Sequence, residues 1–100
     1  MPKTANGGSG KKDAPGVKAA ARTTEALLLL FGENFHLART KAGLTQHDIE
    51  MHTGIKQAYI SQIECGRQNP TLATMTALAL AVGKDVHVML NPLSRPSKRK

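Results

Sequence analysis

The sequence predicts an all-α fold, a compact domain of four to five helices followed by a short strand. Three observations predict it. Between residues 24 and 82, apolar side chains recur at steps of three and four, the spacing of helices that bury one face. Glycines stand at 43, 54, 66 and 83, each just past such a segment, where helices commonly stop. Alternating apolar residues rich in valine are found at 86–90, after the last helical segment.

The first helix is expected from Thr24 as N-cap to Ala42, with Leu27, Leu28, Phe31, Phe35, Ala38 and Ala42 on its buried face. Leu29 and Leu30 exceed what one core face needs and are assigned to a second subunit. Thr45-Gln46-His47-Asp48 has the form of a capping box, with Asp in place of the usual Glu or Gln, and opens a short second helix carrying Ile49. That helix closes at Gly54, where the turn calls for positive φ. A third helix follows over 57–64, with Ile60 and Ile63 inward. Pro70-Thr71-Leu72 starts a fourth, whose Leu72, Met75, Leu78, Ala79 and Val82 keep helical spacing. Val86, Val88 and Leu90 alternate as in a strand, although Val86, Met89 and Leu90 also fit a helical turn. The strand is preferred, and its unpaired edges would require its own copy in a dimer.

Composition bounds the function. A 100-residue chain with one cysteine forms one domain without an internal disulfide, which suits a reducing compartment. None of its apolar runs, 26–31 among them, is longer than six residues, far short of the ~20 that span a bilayer, so a cytoplasmic, soluble protein is expected. The net charge of +7 points to a polyanionic partner. Divided by segment, however, 1–22 carries +4, 23–91 carries −1 and 92–100 carries +4. The chain thus reads as a basic, disordered N-terminal tail (1–22), a nearly neutral domain (23–91) and a basic C-terminal tail (92–100).

Two short helices around a glycine-centred turn, set among other helices, form a helix-turn-helix. The segment 46–64 resembles that of the Cro/phage-repressor type, the xenobiotic-response-element regulators. The resemblance extends from Phe31 to Gly83. It is carried by Gly43-Leu44-Thr45-Gln46, Ile60-Ser61-Gln62-Ile63-Glu64 with Gly66, Asn69-Pro70-Thr71-Leu72, and Leu78-Ala79 with Ala81-Val82-Gly83. It implies a compact lambda-repressor-like domain and a DNA-binding transcriptional regulator, with Arg39 and Glu64 as a largely buried ion pair. One departure stands out: the family usually has Ala four residues before the turn glycine, and this chain has Glu50. Either the helices splay or Glu50 reaches a cation at the edge.

In such regulators the third helix enters the major groove. By position, Gln57 is the first base reader, since an amide can bond adenine bidentately. Ala58 can touch a thymine methyl, Tyr59 can pack on sugar or methyl, and Gln62 is the second base reader. Gln46 aims its amide and backbone N–H at a phosphate. Lys56 caps a helix poorly and is assigned to a phosphate. Arg67, Gln68 and Asn69 form a loop near the other strand's backbone, and Thr45 and Ser61 complete the backbone set.

No metal, cofactor or catalytic site is expected. His47 and His52 lie on different helix faces, His36 and His87 are distant in sequence, and Cys65 stands alone. The resulting reading is a homodimeric regulator, most simply a repressor, on a palindromic operator. Two alternatives remain. Gly54-Ile55-Lys56-Gln57-Ala58 and the alternating 86–90 are similar to antitoxins of kinase-type toxin–antitoxin pairs, which bind a toxin and repress their own transcription. The nearly neutral domain instead suits a protein-interaction or coactivator module with little DNA specificity.

Overall fold

The computed structural model describes residues 15–92, which form five helices: α1 (Pro15–Lys41), α2 (Gln46–Thr53), α3 (Gln57–Glu64), α4 (Leu72–Ala81) and α5 (Val86–Met89). Most of the two expected tails, 1–14 and 93–100, lies outside the described residues.

Helix α1 starts nine residues upstream of the expected cap. Thr24 is internal to it, and its Oγ1 donates to the Ala20 carbonyl at 2.9 Å. The upstream sequence explains the extension. Proline is favoured at a first helical position, where its missing N–H is not needed, and Ala19, Ala20 and Ala21 have the highest intrinsic helix propensity. Residues 16–27 are exposed all round, so the buried face begins later than expected. Leu27 and Ala42 lie outside the core, whereas Leu30, assigned to a second subunit, is 4% exposed within its own chain.

Phe31 and Phe35 of α1 anchor the core, with ring planes 7° apart and centroids separated by 6.2 Å. Around them close Ile49 of α2, Ile60 and Ile63 of α3, Leu78 and Ala79 of α4, Val82, and Met89 of α5. Leu72, expected inward, is exposed, because Thr71 caps α4 by accepting from the Thr74 N–H at 3.1 Å and the inward face starts one turn later. Helix α3 lies between α1 and α2; α4 packs on α2, and α5 closes the bundle on α4 and α1.

The preferred strand at 86–90 is instead the helical turn α5. Helical spacing turns Val86, Met89 and Leu90 together onto the core, and Asn34 of α1 donates from Nδ2 to the Met89 carbonyl at 2.8 Å. A strand here would have left both edges unpaired in the single chain.

Candidate nucleic-acid interface

The Thr45 hydroxyl accepts from the Asp48 N–H at 3.0 Å, and the Asp48 carboxylate accepts from the Thr45 N–H at 2.8 Å, a complete capping box that starts α2. Hydrogen bonding of the Asp48 carboxylate by Thr45, from the backbone N–H first and then the side chain, holds the Asp48 pKa below its ordinary value. Gly54 ends α2 at φ 79°, a conformation that a side chain would strain.

Helix α3 has no cap of its own: Lys56 at its N-cap position makes no side-chain bond to the helix. The carboxylate comes from α2. Glu50 Oε1 accepts from the Gln57 N–H at 3.0 Å. Neither arrangement expected for Glu50 is therefore needed; its partner is a backbone N–H at a helix start, where a negative charge is favoured.

At its other end α3 is tied to α1. Arg39 donates from Nε to Glu64 Oε2 at 2.6 Å and from Nη2 to Oε1 at 3.0 Å, a bidentate pair, and from Nη1 to the Leu44 carbonyl at 2.9 Å. His36 Nδ1 lies 2.9 Å from Glu64 Oε1, and Gln46 Nε2 donates to the same oxygen at 3.1 Å. The Glu64 side chain is 6% exposed. Burial pushes its pKa up, but the bonds from Arg39, His36 and Gln46, with the guanidinium charge, bring it below the ordinary value. The amide of Gln46 thus faces Glu64, not solvent. Glu64 offers several lone pairs in a nearly dry site and recruits the nearest donors.

Between these two ties α3 presents one face outward. Gln57, Ala58 and Gln62 are exposed, whereas Ile60 and Ile63 are buried on the opposite face. Tyr59 is half-buried and packs against the core, and Ser61 is half-buried. The side-chain Oε1 of Gln62 accepts from Gln68 Nε2, which ties α3 to the following loop. Lys56 precedes α3, Arg67 and Asn69 follow it, and all three are exposed, as is Thr45. No group of three or more His, Cys, Asp or Glu among the described residues could hold a metal ion, and no helix among them is long and apolar enough to cross a membrane. Cys65 is exposed beside the end of α3.

A helix-turn-helix family model matches residues 36–88. The chain belongs to the Cro/phage-repressor type of helix-turn-helix transcriptional regulators. This regulator is 46% identical over 54 residues to an uncharacterized HTH-type transcriptional regulator, y4dJ, of Sinorhizobium fredii, covering 54% of this chain and 70% of that one. It is 35% identical over 52 residues to an uncharacterized HTH-type transcriptional regulator of Haemophilus influenzae, covering 52% of this chain and 53% of the other. Its fold is similar to the crystal structure of a hypothetical transcription factor, NHTF, from Neisseria. The TM-score is 0.64 at 26% identity, covering 69% of this chain and 79% of that chain. The family is one of regulators, not of enzymes.

Three features of the regulator's site escaped sequence reading. His36 precedes Arg39 by three residues, a spacing that puts both on one helix face, and that signal was available. The reach of Glu50 to α3 depends on the crossing of two helices, which spacing does not give. The third is Gly32 of α1, where a Cβ would stand 2.5 Å from the Ile63 carbonyl oxygen and 2.7 Å from that of Glu64. Helix α3 crosses α1 at this bare position.

Proposed function

We propose that this regulator binds double-stranded DNA sequence-specifically as a cytoplasmic homodimer and represses transcription from a palindromic operator. Each α3 would lie in a major groove, the two grooves ~34 Å apart along the duplex. The observation that carries this reading is the exposed face of α3, with Gln57, Ala58 and Gln62 outward on a helix tied at both ends. Gln57 is free to bond an adenine edge with both amide groups. Gln62, its oxygen engaged by Gln68, would act as a donor, which suits guanine N7 or O6 or thymine O4. Lys56, Arg67, Asn69 and the Thr45 hydroxyl flank that face as phosphate contacts, joined by the Gln46 backbone N–H, Ser61 and Gln68. Leu72 and Leu80, 62% and 63% exposed on α4, together with Leu29 supply apolar surface for the contact between subunits.

In-vitro selection of bound duplexes tests the reading directly. A palindromic consensus with half-sites one helical turn apart is expected; unselective recovery of duplexes would overturn it.

The −1 charge of 23–91 favours one rival, a protein-interaction module on the same fold. Gel shifts with both tails removed separate the two: selective binding by the core supports the regulator, and binding through the tails alone supports the module. The antitoxin reading drew on a strand at 86–90, which α5 replaces, so it keeps only the similarity at 54–58. Co-purification of a toxin partner from the native cell would restore it.

A further inference from the structure

The N-terminus of α3 is the part of the proposed interface that must be held most firmly, because Gln57 is its first residue. First-turn N–H groups have no partner within their own helix, and a side-chain cap normally supplies one. Here the cap position is Lys56, whose side chain has no acceptor and whose charge opposes the helix dipole. An eight-residue helix started in this way frays at its first turn. Glu50 answers this from the neighbouring helix. Its backbone carbonyl accepts the Gly54 N–H at 2.7 Å and closes α2, while its carboxylate accepts the Gln57 N–H at 3.0 Å and opens α3. One residue therefore fixes both sides of the turn.

We infer that Glu50 is a positioning residue for DNA recognition: by holding the Gln57 backbone it sets the direction in which the Gln57 amide is presented to the bases. This rests on the proposed DNA reading. The carboxylate also sits at the end of α3 where a backbone phosphate would otherwise be drawn to the helix dipole. It therefore withholds sequence-blind affinity from the residue that reads sequence.

The test uses the full chain and two variants, Glu50→Ala and Glu50→Gln. The base pair read by Gln57 is first located as the one at which Gln57→Ala relaxes preference. In Glu50→Ala, discrimination at that pair should fall about tenfold, the scale of a lost hydrogen bond to a charged group, and binding to scrambled duplex should not fall. Glu50→Gln keeps an acceptor oxygen and loses the charge. It should hold discrimination close to wild type and bind scrambled duplex more tightly than wild type. Amide hydrogen exchange gives a readout that needs no DNA: Gln57 should be protected in wild type and in Glu50→Gln, and lose protection in Glu50→Ala. Unchanged discrimination in Glu50→Ala, or a Gln57 amide as unprotected in wild type as in Glu50→Ala, overturns the inference. A wild-type protein with no site preference would overturn the DNA reading itself, and the specificity role of Glu50 with it.

Discussion

Glu64 is bonded by three side chains, those of Arg39, His36 and Gln46, and its surroundings predict how the regulator responds to acid. Its pKa is lower in the folded chain than the ordinary glutamate value. The stability it contributes is therefore present above that ordinary value and is lost as pH falls through the lowered one. Urea midpoints should decline in this acid range in wild type and decline less in Glu64→Gln. The same site predicts a large effect of removing the cation. Arg39→Met leaves Glu64, with 6% side-chain exposure, without its charged partner, and should cost ~3–5 kcal/mol by urea denaturation at neutral pH. A loss of about 1 kcal/mol or less, the size of an exposed pair, would show that water reaches the site. Gln57 has the opposite character, since its side-chain amide, unlike its backbone N–H, takes no part in the bonds that hold the fold. Gln57→Ala should leave the urea midpoint unchanged, cost ~1–3 kcal/mol of binding on the preferred site and relax preference at one base pair. An equal loss on scrambled duplex would remove Gln57 from the base readers.

At the scale of elements, α1 and α3 approach more closely than their side chains suggest, because Gly32 brings bare backbone against the last turn of α3. The atoms a Cβ would meet are the carbonyls of Ile63 and Glu64, which are backbone and cannot rotate away. Gly32→Ala should therefore cost ~1–3 kcal/mol or more, although alanine is otherwise the better helix former. Thermal unfolding and hydrogen exchange of α3 amides would measure it; an unchanged or raised Tm would mean that the helices separate without penalty. This contact also marks the limit of what the sequence reveals. The bounds of α2 and α3 were legible, because a capping box, Gly54 and the inward Ile49, Ile60 and Ile63 all act over a few residues. The start of α1 was not, since Thr24 is a good cap wherever a helix begins, and the alanines that carry the helix past it form no amphipathic pattern. Nor was α5, because Val86, Val88 and Leu90 fit a strand while Val86, Met89 and Leu90 fit a helical turn, and the core decided between them. Within the site, exposure of Gln57 and Gln62 followed from their place on α3. The inward turn of the Gln46 amide and the reach of Glu50 did not, because both depend on how neighbouring helices cross.

Over the whole molecule, the excess charge lies apart from the residues proposed to read bases. The chain carries +7, yet 23–91 is at −1, so the excess belongs to the ends, where Arg95, Lys98, Arg99 and Lys100 alone bring +4 to 92–100. Cations that meet phosphates release condensed counterions and steepen the fall of affinity with salt, without reading sequence. Gln57 and Gln62 carry no charge and contribute nothing to that slope. The two properties should therefore separate by truncation. Removing residues 93–100 from both subunits should make the slope of log affinity against log salt shallower by at most ~7, from eight cations per homodimer at about 0.9 each. The ratio of cognate to scrambled affinity at any one salt concentration should stay the same. Titrations of both duplexes at three or more salt concentrations, with the full and the shortened chain, measure both quantities together. A slope that does not change would mean that these cations meet no phosphate, whereas a ratio that falls with the truncation would place the C-terminal residues among the groups that read the operator.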